Sequence, residues 1–165
     1  MVSEAVSNTG PILHLSEINL LNIMSLFSSV SIPEEVRNEL RRYNINLPKK
    51  IKVKKISPKF KDTVKVLTSQ SSLDLGEAEA ITLSLQEKPN YFLTDDLEAR
   101  SVARNYNLQV HGTAGIILRA FRERLLSKDA TLKKVSELQD KSSLFITRDL
   151  VRQIILSIEE FQVNK

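Results

Sequence analysis

The feature that most constrains the fold is the regular alternation of short apolar runs with longer helical stretches. The strand-like runs cover residues 4–8, 29–32, 51–56, 90–94 and 108–112. Helical patterns cover residues 10–27 (in two pieces), 33–43, 59–69, 75–88, 96–107 and 113–127. Strands that alternate with helices favour right-handed crossovers and a parallel sheet covered on both faces. The sequence therefore predicts an α/β protein with a mainly parallel sheet.

The last part of the chain adds two predicted helices, at residues 131–139 and 148–162. The second carries one apolar stripe, formed by Leu150, Val151, Ile154, Ile155, Ile158 and Phe161. This stripe either packs on the core of the domain or forms a surface for a dimer or another partner. The 165 residues are expected to form a single domain, with a core at about 2–125 and a helical extension at about 130–165.

The composition restricts the chemistry that the chain can perform. It contains no cysteine, which excludes disulfides, thiol nucleophiles and thiolate zinc sites, and only two histidines. A metal site would therefore use mainly oxygen ligands, which favours Mg²⁺ or Mn²⁺ over zinc. No apolar run approaches the length of a membrane span, and the N-terminus lacks the pattern of a signal peptide. We expect a cytoplasmic protein.

The positive charge is clustered in one segment. The net charge is +4, and seven lysines fall within residues 49–61, "KKIKVKKISPKFK". One explanation is a solvated edge strand whose lysines prevent edge-to-edge pairing. The other is attraction of a phosphate backbone, as in a protein that binds nucleic acid.

Acidic side chains follow the predicted strands or begin the predicted helices. Ligand sites in open parallel sheets form beyond the carboxyl ends of the strands. Five residues are expected to meet there and to form an oxygen-rich site for a divalent ion: Asn8, Glu39, Glu77, Asp95 and Asp96. Such an ion supports hydrolysis of phosphodiesters by activating a water and neutralising charge on the phosphoryl group.

Helix capping explains some of these acids equally well. Asp95 with Glu98, and Asp74 with Glu77, have the spacing of an N-cap residue and its partner three positions later. Periodicity alone does not show that the five side chains meet in space, so both explanations stay open at this point.

Five motifs in order resemble those of the PIN domain family, in the branch related to VapC-type toxin ribonucleases. They are "SNTGPIL" (7–13), "PEEVRNEL" (33–40), "LGEAEAI" (75–81), "TDDLEAR" (94–100) and "VHGTAGIIL" (110–118). The resemblance implies a three-layer α/β/α PIN-like fold. It also implies dependence on Mg²⁺ or Mn²⁺ and ribonuclease activity, with catalytic roles for Glu39, Glu77, Asp95 and Asp96.

The resemblance carries one departure, at Asn8. An aspartate of the family falls on this position, and asparagine ligates through its carbonyl oxygen but brings no charge. The resemblance implies that Glu77, Asp96, Asp95 and Asn8 position one or two ions, while Glu39 holds a water or ligates directly. A non-catalytic module that binds RNA or protein is the main alternative. A nucleotide-binding α/β protein is disfavoured because the chain lacks a Gly-rich phosphate loop.

The expected partner is RNA, and a cognate antitoxin and a homodimer are further possibilities that the resemblance brings. Four basic residues are candidate contacts for the RNA backbone: Lys52, Lys54, Arg100 and Arg104. Arg100 and Arg104 are four residues apart in a predicted helix and would share one face.

Overall fold

A five-stranded, all-parallel sheet forms the centre of the molecule. The computed structural model describes residues 3–163, and their side chains as far as residue 161. The strands are β1 (Glu4–Ser7), β2 (Ser29–Ile32), β3 (Ile51–Val53), β4 (Tyr91–Leu93) and β5 (Val110–His111). Their order across the sheet is β3-β2-β1-β4-β5, and Val6 pairs with Ser31 on one side and Phe92 on the other. Since β1 lies in the middle, residues after its carboxyl end lie near those of both neighbours.

Helices connect the strands and cover the sheet. They are α1 (Thr9–Glu17), α2 (Glu34–Arg41), α3 (Lys61–Gln70), α4 (Leu75–Glu87), α5 (Leu97–Asn105), α6 (Thr113–Arg122), α7 (Lys128–Lys141) and α8 (Arg148–Val163). Two 3₁₀ segments, Leu21–Leu26 and Pro58–Phe60, lie between them. The predicted helix at 113–127 is too long, because Arg124 adopts a left-handed backbone conformation (φ 63°) that ends it early.

The helices fall into two groups that give the three layers of an α/β/α fold. Helix α4 packs on β1 and against α2, α3 and α5, whereas α6 packs with α1, α7, α8 and the first 3₁₀ segment. The central strands are covered on both faces, so consecutive residues such as Phe92 and Leu93 are both buried. This confirms the predicted fold class.

The apolar stripe of α8 packs onto the rest of the molecule. Val151, Ile154 and Ile158 are buried, and the ring of Phe161 lies 5.5 Å from that of Phe121 on α6. Only Leu150 of the predicted stripe is well exposed. The stripe is therefore part of the core. It gives no support to a dimer through α8, which stays a prediction. Among the described residues, no helix combines the length and apolarity that a membrane crossing requires.

Candidate functional site

A cleft of about 270 Å³ lies at the carboxyl edge of the sheet, beyond β1 and β4. Its walls come from the segments that follow these strands, from α2, from the start of α4 and from the link between α7 and α8. Twelve residues line it: Asn8, Thr9, Gly10, His14, Glu39, Asp74, Glu77, Asp95, Asp96, Ser143, Leu144 and Phe145. All five predicted metal ligands are in this set, so one cleft brings together residues that are far apart in the sequence.

Glu77 begins α4 and is part of a reciprocal cap. The backbone N–H of Glu77 donates to Asp74 Oδ1 (2.8 Å), and the backbone N–H of Asp74 donates to Glu77 Oε2 (2.9 Å), as the sequence predicts. One carboxylate oxygen thus holds the helix end, and the other is free of this bond. Burial, together with the negative charges of Asp74, Asp96 and Glu39, raises the pKa of Glu77 to about 7, and the bond from Asp74 opposes this only in part.

Asp96 caps the next helix. Its Oδ1 accepts a hydrogen bond from the backbone N–H of Ala99 (2.7 Å), and its own N–H donates to Thr94 Oγ1 (3.2 Å). The predicted cap pair of Asp95 and Glu98 is therefore wrong by one position, because the Asp95 side chain turns away towards another helix. As in Glu77, one oxygen of Asp96 serves the backbone and the second stays available at the exposed mouth of the cleft.

Asp95 has both of its carboxylate oxygens engaged by protein donors. Thr113 donates to it from its backbone N–H (2.7 Å) and from its hydroxyl, and His14 Nδ1 lies 2.7 Å from Asp95 Oδ2. Burial by itself raises the pKa of Asp95, but the hydrogen bonds from His14 and Thr113 outweigh it and hold the pKa below its ordinary value. The carboxylate therefore ties α1, β4 and α6 together beneath the cleft.

Glu39 reaches the cleft from α2. Its carboxylate accepts a hydrogen bond from the Thr9 hydroxyl and lies directly against Gly76 in the first turn of α4. A Cβ built on Gly76 would stand 2.4 Å from Glu39 Oε1, so the absence of a side chain there lets the two helices place Glu39 in the cleft. Burial raises the pKa of Glu39, Thr9 lowers it, and the charges of Asp74 and Glu35 raise it further.

Asn8 lies at the base of the cleft and is 5% exposed. Its Nδ2 donates to Thr94 Oγ1 (2.6 Å), whereas within residues 3–163 no donor reaches its buried Oδ1. A buried carbonyl oxygen without a partner is costly in a folded protein. An oxygen of this kind, beside carboxylates, is suited to ligate a cation.

The donor set fits a divalent ion with respect to charge and chemistry. None of the ion pairs within the described part of the chain involves Glu39, Glu77 or Asp96. Within this part of the chain these three carboxylates therefore form no salt bridge, although the charge of Arg42 opposes the rise in the pKa of Glu39. As the side chains of the described residues stand, no group of three or more acidic or histidine residues is arranged to hold an ion. Mg²⁺ keeps several waters and takes only one or two carboxylates directly, so a tighter cluster is not required.

Several residues of the cleft were not predicted from the sequence. The spacing of Gly10 and His14, four positions apart on one helix, was a signal that both could face the strand end. The segment Ser143–Phe145 gave no signal, because its place in the cleft depends on how the two last helices pack. Thr113, which donates to Asp95, is the first residue of α6 and follows the N-cap residue Gly112.

The predicted RNA contacts lie outside the cleft. Lys54 Nζ lies 3.0 Å from Glu87 Oε1, near the end of α4 that is about 15 Å from Glu77. Lys52 and Arg104 are exposed.

Arg100 lies four residues before Arg104 on α5, as predicted, but is less exposed. It is partly buried beside Gly112 and donates from Nη2 to the backbone carbonyl of Thr94 (3.3 Å). A role for any of the four basic residues in RNA binding stays a prediction.

The search of curated proteins finds no match, whereas a family model described as a PIN domain matches residues 4–160. PIN domains have a nuclease-type fold and generally depend on divalent metal ions. This match covers nearly the whole chain, and it agrees with the parallel sheet and with acids at its carboxyl edge. The chain belongs to the PIN domain family.

Proposed function

We propose that the protein is an endoribonuclease that hydrolyses phosphodiester bonds of RNA and depends on Mg²⁺ or Mn²⁺. The observation that carries this proposal is a cleft whose carboxylates Glu39, Glu77 and Asp96 form no salt bridge among the described residues, with the pKa of Glu77 raised to about 7. Carboxylates that repel one another in a partly buried site become stable together when a cation binds between them.

Glu77, Asp96 and the unpartnered Oδ1 of Asn8 would hold the ion. When bound, a divalent ion neutralises charge on the phosphate and makes a water acidic enough to attack near neutral pH. Glu39 is held by Thr9 and Gly76 at the side of the cleft, where its carboxylate can orient the attacking water or ligate. Its raised pKa suits a group that exchanges a proton.

Asp95 has a different task in this proposal. Because Thr113 and His14 already engage both of its oxygens, we assign it the positioning of the strand end that carries Asp96. This replaces the direct metal ligation that the family resemblance implies for Asp95.

The wider biological roles extend the same proposal. The candidate RNA contacts are still Lys52, Lys54, Arg100 and Arg104. The exposed Lys52 and Arg104 are the better placed of the four. From the family we also propose that the protein acts in the cytoplasm as the toxin of a VapBC-type pair. A cognate antitoxin and a homodimer belong to the same proposal. A short neighbouring gene for a DNA-binding protein would support the toxin role.

The decisive experiment measures cleavage of a structured RNA with Mn²⁺ by the native protein and by the double variant Glu77→Gln, Asp96→Asn. Both substitutions keep the capping hydrogen bonds, because glutamine and asparagine oxygens also accept from a backbone N–H. We expect cleavage by the native protein only, and a rise in its melting temperature with millimolar Mn²⁺ that the double variant lacks.

The neutral Asn8 favours a second candidate function, a binding module without catalysis. Here an amide stands where the family resemblance implies a carboxylate, and this reduces the negative charge of the site by one. This candidate predicts RNA binding with neither cleavage nor a metal-dependent rise in melting temperature, so the same experiment separates the two.

A further inference from the structure

An exposed aromatic ring lines the cleft beside the carboxylates. Phe145, in the link between α7 and α8, is 90% exposed, the largest value among the exposed large apolar residues of the described chain. It lines the same cleft as Glu77 and Asp96. A phenyl ring left in water forgoes the free energy that burial would give it, and a ligand bound in the cleft would supply that burial.

The residues around Phe145 hold it in place. Ile146 is buried at 9% exposure, and Leu144 packs against the core. Ser143 donates from its backbone N–H (3.1 Å) and its hydroxyl (2.8 Å) to Glu17 Oε1 on α1. The link is thus anchored on both sides of the ring, and Phe145 is presented to the cleft rather than left on a loose loop.

The mixed character of the cleft limits what can bind there. An apolar segment of a protein would cover Phe145 but would also bury carboxylates without partners, which is unfavourable. A small anion would approach the carboxylates through a cation but would leave the ring in water. A nucleotide satisfies both, because it joins a phosphate to a flat base with a π face.

We infer that Phe145 is a stacking platform for the nucleobase next to the scissile phosphate. This inference rests on the proposed function in taking RNA as the ligand. A base within a duplex is already stacked on its neighbours, so only an unpaired base can turn onto the ring.

The test measures binding in the double variant Glu77→Gln, Asp96→Asn, which is expected to bind RNA without cutting it. A decamer of uridine is compared with an abasic decamer of the same charge, with and without Phe145→Ala. Loss of one stacked base corresponds to about a 5- to 150-fold weaker Kd. We expect that loss for the uridine decamer alone, with Phe145→Trp retaining affinity. Equal effects on both oligonucleotides, or no effect on either, would overturn the inference.

A spectroscopic signature gives a second readout. The chain contains no tryptophan, so Phe145→Trp introduces a single indole at the platform. Its fluorescence should be quenched by the uridine decamer and not by the abasic one. Unchanged fluorescence with both would count against stacking.

A matched control separates stacking from a general effect of removing apolar surface. Leu156 is also exposed (54%), lies on α8 and does not line the cleft, so Leu156→Ala should leave both Kd values unchanged. If base-selective binding through Phe145 is found while the native protein fails to cut RNA, the inference stands and the proposed hydrolysis falls. If the native protein cuts RNA and Phe145→Ala leaves KM unchanged, the inference falls and the proposed function stands.

Discussion

The carboxylate of Glu39 occupies the space that a side chain at Gly76 would fill, with Oε1 only 2.4 Å from an added Cβ. Helices α2 and α4 therefore depend on a glycine at their contact to keep Glu39 in the cleft. The neighbour that must move on substitution is the end of a flexible side chain, so the site should suffer more than the fold.

Gly76→Ala should displace Glu39 while leaving the protein folded. We expect the melting temperature in EDTA to stay equal or to rise by a few degrees, since alanine is favoured over glycine in a helix by about 1 kcal/mol. RNA cleavage should fall roughly 10- to 100-fold because the carboxylate is misplaced. Gly115→Ala is the matched control, since its added Cβ meets His111 Nδ1 at an ordinary 3.5 Å. Full activity in Gly76→Ala would refute the role of this contact.

Glu77→Gln should change how stability depends on pH in metal-free buffer. The folded pKa of about 7 lies above the ordinary value of 4.5, so the folded state holds its proton more tightly. The resulting stability is complete below about pH 4.5 and is lost as pH rises towards 7. The variant should therefore gain in melting temperature relative to the native protein between pH 4.5 and 7. Thermal unfolding in EDTA measures this, with the exposed Glu98→Gln as control; parallel curves would contradict it.

Asp95→Ala should destabilise the protein more than Asp96→Asn does. It leaves the buried Thr113 without its acceptor, which costs roughly 1–3 kcal/mol and lowers the melting temperature by several degrees. The folded pKa of Asp95 is lowered, so its stabilising effect is present above the ordinary value of 3.8 and is lost as pH falls below it. Asp95→Asn should keep the Mn²⁺-dependent thermal shift that Asp96→Asn weakens. Loss of the shift in Asp95→Asn alone would instead make Asp95 a ligand.

Asn8→Asp should strengthen metal binding at the expense of metal-free stability. A carboxylate at this 5% exposed position adds negative charge beside Glu77, which costs free energy until a cation neutralises it. Thr94 Oγ1, which now accepts from Asn8 Nδ2, can donate to the new carboxylate. We expect a lower melting temperature in EDTA and a larger rise with Mn²⁺, both measured by thermal unfolding. An equal or smaller rise would show that position 8 does not face the ion.

Lys52→Ala and Arg104→Ala should each weaken RNA binding to a similar extent for all sequences. If each side chain neutralises one phosphate, its removal lowers the slope of log K against log salt by about 0.7 for a single strand. Binding titrations at several salt concentrations measure the slope, with the exposed Lys133→Ala on α7 as control. An unchanged slope in both variants would place the RNA elsewhere on the surface.

The fold was largely predictable because its signals are local. Every strand-like run and helical pattern of the sequence analysis corresponds to a strand or helix, since short β-branched runs and amphipathic periods act within a few residues. The predicted end of α6 lies too far along the chain. The left-handed residue that follows the helix is Arg124, not the glycine that usually marks such a position. The order of the strands comes from pairing between distant segments and has no comparable local signal.

The candidate site was predictable in its residues and less so in their contacts. Because the carboxyl ends of parallel strands lie at one edge of a sheet, Asn8 and Asp96 could be predicted to lie close together. That rule says nothing about rotamers, so the turn of Asp95 towards Thr113 was not foreseen. The place of Phe145 follows from tertiary packing alone, since α7 and α8 set the path of their link.

The cap at the start of α4 gives the cleft a built-in dependence on local order. One carboxylate oxygen of Glu77 accepts the hydrogen bond that holds the first turn of the helix, and the side chain lines the cleft with the other acids. Fraying of that single turn would carry the carboxylate away while the sheet stayed intact. A cation that draws Glu77 inward would, in return, tighten the turn, so occupancy and helix order would rise and fall together.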